Sequence, residues 1–205
     1  MNRRAMLNRT IRKTALAALL ALAACAQPVA PEPQLQGTSL SNATIGGPFE
    51  LTDKNGKTVR WSDFRGRYAI VYFGYTFCPD ACPADVAVLM RGFAQFEKTH
   101  PDKAAKVQPI FIGIDPPRDT PKAVGEFSAA FSPRLIGLSG TQAQVDQAVK
   151  AFKAFAGKGK ESAGGYLMDH TRFAYLMDPQ GKPIEALPVD KSAEAVAADL
   201  AVAVK

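Results

Sequence analysis

Cys78 and Cys82 stand four positions apart in the run Tyr72-Phe73-Gly74-Tyr75-Thr76-Phe77-Cys78-Pro79-Asp80-Ala81-Cys82-Pro83, where a hydrophobic stretch gives way to polar residues and proline. Residues at i and i+4 lie one helical turn apart, so two thiols so spaced can close a disulfide or grip one soft metal ion. A helix that starts here exposes unpaired N–H groups and a partial positive charge, and both favour thiolate over thiol. Pro83 lacks an N–H and is tolerated only in the first turn, which pins the helix start close to Cys82, while Pro79 stiffens the loop that carries Cys78. A structural disulfide is the plain alternative. The two prolines and the helix start argue instead for a reactive or metal-binding pair.

The pair differs by one residue from the Cys-x₂-Cys of thioredoxin, which moves it toward metal ligation without excluding disulfide exchange. Two thiolates need a third ligand, and the chain has two histidines. His170, in Tyr166-Leu167-Met168-Asp169-His170-Thr171, precedes an apolar strand. His100, in Thr99-His100-Pro101, follows a helix and reads as a solvated surface residue. Asp80, Asp115 and Asp169 flank these strings. Any of them can orient the imidazole, attract a cation or serve as a turn residue, and Asp115, before two prolines, suits a turn.

The elements that would position these groups follow from hydrophobic patterning. Phe49–Thr52 and Thr58–Trp61 flank Asn55-Gly56 as a hairpin. Tyr68–Phe73 is a continuous apolar strand of the kind buried on both faces. A helix is expected from about Pro83 to Lys98, with Val86, Leu89, Met90, Phe93 and Phe96 inward. Ile110–Ile114 is a second strand, and Thr120-Pro121 caps and opens a helix to about Phe131. Leu135–Leu138 is a short strand, and a helix from Thr141 places Val145, Ala148, Val149, Phe152 and Phe155 at core spacing. The segment 157–165, GKGKESAGG, reads as a flexible loop. Arg172–Met177 and Pro183–Leu187 are strands around a turn, and a helix from about Ser192 to Val204 closes the chain. This order is that of an α/β, thioredoxin-like fold with an N-terminal β-hairpin and one inserted strand-helix unit.

The N-terminal end reads as an export signal of the lipoprotein type over residues 1–24. Arg3, Arg4, Arg9, Arg12 and Lys13 precede an apolar stretch too short to span a bilayer, and Leu22-Ala23-Ala24-Cys25 resembles a lipobox. Cys25 is then a lipid anchor, and residues 25–44, polar and proline-rich, a flexible linker to a domain over 45–205. The expected location is the bacterial periplasm or cell surface, on a membrane. The signal carries five of 25 basic residues and none of the 19 acidic ones, leaving 20 against 19, so the mature charge is near +1. A nucleic-acid or general polyanion binder is thereby disfavoured. With two cysteines left after Cys25, the fold cannot rest on a disulfide framework.

Three strings, FGYTFCPDACP, FIGIDPPRDTP and DHTRFAYLMDPQGKP, together resemble the signatures of the Sco/SenC family of copper-binding proteins. The resemblance covers about residues 45–204, with Pro117 where the family commonly has an acidic residue. It implies a thioredoxin-like fold and copper ligation by Cys78, Cys82 and His170, as Cu(I) or, with an added oxygen ligand, Cu(II). It also implies a role in assembling the dinuclear copper centre of cytochrome c oxidase, with oxidase subunit II and other periplasmic copper carriers as partners. Two thiolates and an imidazole suit copper, though zinc accepts the same set with a water. The rival function is a thiol-disulfide oxidoreductase, which needs Cys78 and Cys82 but not His170. A peroxiredoxin-like peroxidase fits the Cys-Pro-Asp-Ala-Cys loop poorly.

Overall fold

The computed structural model describes residues 34–162 and 165–205; the expected export signal, Cys25 and the first part of the linker lie outside the described residues. Strand β1 is Thr38–Ser39, and the hairpin β2 (Glu50–Asp53) and β3 (Thr58–Arg60) forms as expected around a Gly56 with φ of 79°. A 3₁₀ turn over Trp61–Phe64 leads into β4 (Tyr68–Gly74), all seven residues of which are buried.

The order then runs α1 (Ala81–Thr99), a short α2 (Pro101–Ala104), β5 (Val107–Gly113), α3 (Pro121–Phe131), β6 (Ile136–Ser139) and α4 (Gln142–Ala151). It continues with β7 (Ala156–Ser162), β8 (Gly165–His170), β9 (Ala174–Met177), β10 (Pro183–Leu187) and α5 (Ala193–Ala203). The helix starts follow the side chains: Thr120, Thr141 and Ser192 each accept an N–H from the first turn of their helix.

The main sheet has the order β1-β10-β9-β4-β5-β6-β2-β3. β4, β5 and β6 are parallel and β9 is antiparallel to β4, so β10-β9-β4-β5 is the thioredoxin-like sheet. The inserted β6 and the N-terminal hairpin extend it on one side. Helix α1 packs on α5 at Gly92, where a Cβ would lie 2.6 Å from the Ala193 carbonyl oxygen. Phe73, Phe152 and Tyr175 meet in the core, with ring centroids 5.6–6.0 Å apart.

Several expectations need correction. Of the segment 157–165 expected as a loop, residues 157–162 belong to strand β7 and Gly165 opens β8: the two pair antiparallel, Ala156 opposite His170 and Lys158 opposite Met168. Glycine and lysine hid a strand whose partner, rather than its composition, holds it. Phe155 is not core but 61% exposed, because α4 stops at Ala151 and Lys153 turns the chain at φ of 49°. Helix α1 begins two residues earlier than expected, so Cys82 lies inside its first turn. Within the stretch expected as linker, β1 pairs with β10, and the N–H groups of Gln36 and Gly37 donate to the Asp199 carboxylate at 2.8–3.0 Å. No helix among the described residues is long and apolar enough to cross a membrane.

Candidate metal centre

The site is built at the end of β4. Its last residue, Gly74, is a close-approach position: a Cβ there would meet Phe111 and Tyr72 at 2.9 Å and the Cys82 sulfur at 3.1 Å. The chain then turns, with the Cys78 N–H donating to the Tyr75 carbonyl, and enters α1 at Ala81. Cys82 is fully buried, whereas Cys78 is half-buried at the rim, and both thiols are free.

The two sulfurs differ electrostatically. Burial pushes the Cys78 thiol up, but N–H groups of Cys82 and Asp80 outweigh it and hold its pKa below the ordinary value. The Cys82 N–H donates to the Cys78 sulfur at 3.2 Å, which is the expected use of an unpaired donor at a helix start. Cys82 itself is pushed far up by burial, so it holds its proton at neutral pH.

His170 ends β8 and comes to the thiols from 88 residues along the chain. Its Nε2 lies 3.1 Å from the Cys82 sulfur. Its Nδ1 is 2.8 Å from the Thr171 carbonyl oxygen, and since a carbonyl only accepts, Nδ1 carries the proton and Nε2 presents its lone pair to Cys82. The ring is boxed edge-on by Tyr72 and Tyr75, at centroid distances of 6.1 and 5.9 Å. The ligand atoms of Cys78, Cys82 and His170 all lie within 4.8 Å of one another.

Above them opens a cleft of about 370 Å³ lined by Tyr75, Cys78, Asp80, Phe155, Met168 and His170. A larger cavity of about 580 Å³ beside Trp61 offers no thiol or imidazole, and its arginines are engaged, Arg60 by Glu50 and Arg65 by the Gln180 carbonyl. Donor chemistry therefore places the site in the smaller cleft.

His100 sits at the far end of α1, stacked on Phe96 and half-buried rather than fully solvated. Asp80 stands at the start of α1 without a side-chain cap bond, and Asp169 points outward from β8. Asp115 makes the turn expected of it, accepting the Arg118 and Asp119 N–H groups, and its carboxylate also pairs with Arg118 and accepts from Tyr166. Sequence reasoning missed Asp85, Arg172, Arg118 and Tyr166, which fasten the site's elements together. A signal existed for Asp85: it falls on the inner face of α1, where an apolar residue is expected.

The family model described as SCO1/SenC matches residues 37–205. The chain belongs to the SCO1/SenC family. It is 40% identical over 149 residues to the mitochondrial protein SCO2 of Saccharomyces cerevisiae, covering 71% of this chain and 48% of that protein. It is 39% identical over 162 residues to SenC of Rhodobacter capsulatus, covering 79% of this chain and 72% of the other. The chain spans about half the length of the curated mitochondrial relatives it matches. Among solved structures, ScoI of Bradyrhizobium japonicum with copper bound aligns at a TM-score of 0.69 and 39% identity, over 77% of this chain and 98% of that one. The match to these structures agrees with the thioredoxin-like sheet described above.

Proposed function

We propose that this SCO1/SenC chain is a copper metallochaperone that holds one copper ion through Cys78, Cys82 and His170. The observation that carries the reading is the convergence of two thiols and an imidazole lone pair within 4.8 Å of one another, with Nδ1 already committed to a carbonyl. Soft thiolates with imidazole favour copper, and the copper-bound relative supports the choice over zinc. Cys78 at the rim and Cys82 beneath it form a half-buried and a buried ligand, an arrangement suited to handing the ion on by ligand exchange. Of the exposed large hydrophobic residues among those described, Phe155 and Leu167 line the same cleft and Phe77 adjoins Cys78 in sequence, a surface that suits a protein acceptor.

By family, that acceptor is the copper site of cytochrome c oxidase subunit II, with other periplasmic copper carriers as donors. Export by residues 1–24, a lipid on Cys25 and a tether leading to the domain complete the reading, with the domain held at the periplasmic or outer surface of a membrane. Cys25→Ser is expected to release the protein from membranes and leave copper binding unchanged; attachment that survives the change refutes lipid anchoring.

The unequal thiols favour one alternative, disulfide reduction of the oxidase's own cysteines, because a low-pKa thiol at the rim beside a protonated buried one suits exchange. His170→Ala separates the two. Metal delivery requires weaker copper binding and an oxidase defect partly restored by added copper, with Cys78→Ser and Cys82→Ser failing in both roles. Full oxidase assembly by His170→Ala under copper limitation, while either Cys variant fails, establishes reduction instead.

A further inference from the structure

Arg118, in the string following β5, lies where three segments meet. Its guanidinium carbon is 3.8 Å from the Tyr166 ring centroid, 5.1 Å from that of Phe77 and 5.8 Å from that of Tyr75. Its Nη1 donates to the Tyr166 carbonyl at 3.1 Å and its Nε pairs with one Asp115 oxygen, while the other accepts the Tyr166 hydroxyl at 2.8 Å. Tyr166 is thus gripped by main chain, ring and hydroxyl at once.

The same loop is fastened to the segment that leads into Cys78. Buried Asp119 accepts the Thr76 N–H at 2.9 Å and the Thr76 hydroxyl at 2.8 Å through one oxygen, and the Asp115 N–H at 3.0 Å through the other. The segment 75–78, the loop 115–119 and β8 therefore form one bonded unit.

We propose that Arg118 is a positioning residue: it fixes β8 against the thiol loop and thereby places His170 Nε2 at Cys82. The inference rests on reading His170 as a ligand. Among the described residues, strands β7 and β8 pair only with each other, and an isolated two-stranded hairpin is marginal in water, so its place over the site depends on side-chain anchors. Tyr166 and His170 are four residues apart on one strand and share its inward face, by the period of two. Holding the first holds the second. A planar guanidinium suits the task because it can lie on a ring and donate in its own plane, which an ammonium cannot.

The test uses the reduced protein and its Cu(II)-loaded form, comparing Arg118→Gln and Tyr166→Phe with His170→Ala by electron paramagnetic resonance, copper competition and hydrogen exchange. Arg118→Gln is expected to raise exchange in β7 and β8 of the apo protein about tenfold while β4 and β5 stay protected. It should also weaken copper binding about tenfold and shift the Cu(II) spectrum toward that of His170→Ala. Tyr166→Phe, which loses one hydroxyl and decides the matter if Arg118→Gln fails to fold, should move all three readouts less and in the same direction. Wild-type spectrum and affinity in both variants, where His170→Ala alters them, overturns the proposal. So does a uniform rise in exchange across the fold, which marks a general stabilising role. If His170→Ala leaves the copper site unchanged, the ligand reading fails, and the apo exchange alone decides whether Arg118 holds the hairpin.

Discussion

Asp85 and Arg172 form a two-point ion pair, Nη2 to Oδ1 at 2.9 Å and Nε to Oδ2 at 3.2 Å. Asp85 follows Cys82 by three residues and Arg172 follows His170 by two, so the pair ties the helix bearing the thiols to the chain bearing the imidazole. The buried Asp85 also accepts the Tyr72 hydroxyl at 2.9 Å, beneath the ring of His170.

Asp85→Ala is therefore expected to cost about 1–3 kcal/mol of stability, because it leaves the Tyr72 hydroxyl buried without its acceptor. Arg172→Ala should cost less, about 1 kcal/mol or under, since its side chain is 60% exposed and screened by water. Urea unfolding of the two variants checks the order; an equal or reversed ranking would assign the main role to the surface arginine.

The thiol pair at a strand-to-helix junction was legible from residue types alone, because an unbroken apolar strand followed by prolines and a periodic helix admits few other arrangements. So was the succession along the chain of β2 to β6, β9 and β10, though not β1. The hairpin carrying His170 was not: Gly157, Lys158, Gly159 and Lys160 have no strand propensity, and Arg118, Asp115 and Tyr166, which hold it, are far apart in sequence. Phe155 misled because its spacing continues the apolar face of α4, while the helix ends four residues before it. Gln36 and Gly37 looked like linker because their anchor, Asp199, lies 162 residues or more away.

In the reduced apo protein, Cys78 should alkylate at least about tenfold faster than Cys82 at neutral pH, being both more exposed and lower in pKa. Quenched iodoacetamide labelling with mass spectrometry reads the ratio, and equal rates would contradict the asymmetry. Under the proposed ligation copper binding must displace the proton that Cys82 holds, so affinity should fall as pH is lowered.

Glu185 is fully buried beside Asp199, and burial, reinforced by that neighbouring carboxylate, raises its pKa from 4.5 to about 8. The folded state thus keeps a proton that the unfolded chain releases above pH 4.5. This stabilisation is complete below the unfolded pKa and is lost as pH rises through about 8. Between those limits the slope approaches about 1.4 kcal/mol per pH unit. Glu185→Gln should flatten the fall in unfolding free energy from pH 5 to 8, and profiles that run parallel to wild type would show that Glu185 is ionised in the fold.

Gly74→Ala should destabilise the domain by about 1–3 kcal/mol, because the added methyl overlaps two aromatic rings in a packed core. Its contact with the Cys82 sulfur should weaken copper binding in the molecules that do fold. A variant with unchanged melting and copper affinity would mean that the rings and sulfur yield freely.

The main sheet ends on both sides in very short strands, two residues in β1 and three in β3. Each outer border therefore shows little free backbone to a neighbouring molecule, which discourages edge-to-edge aggregation. Among the described strands the longest open border belongs to β7, and it carries Lys158, Lys160 and Glu161. Charges of this kind repel an incoming strand, so the composition that disguised β7 as a loop also keeps the arm bearing His170 from recruiting other chains into fibres.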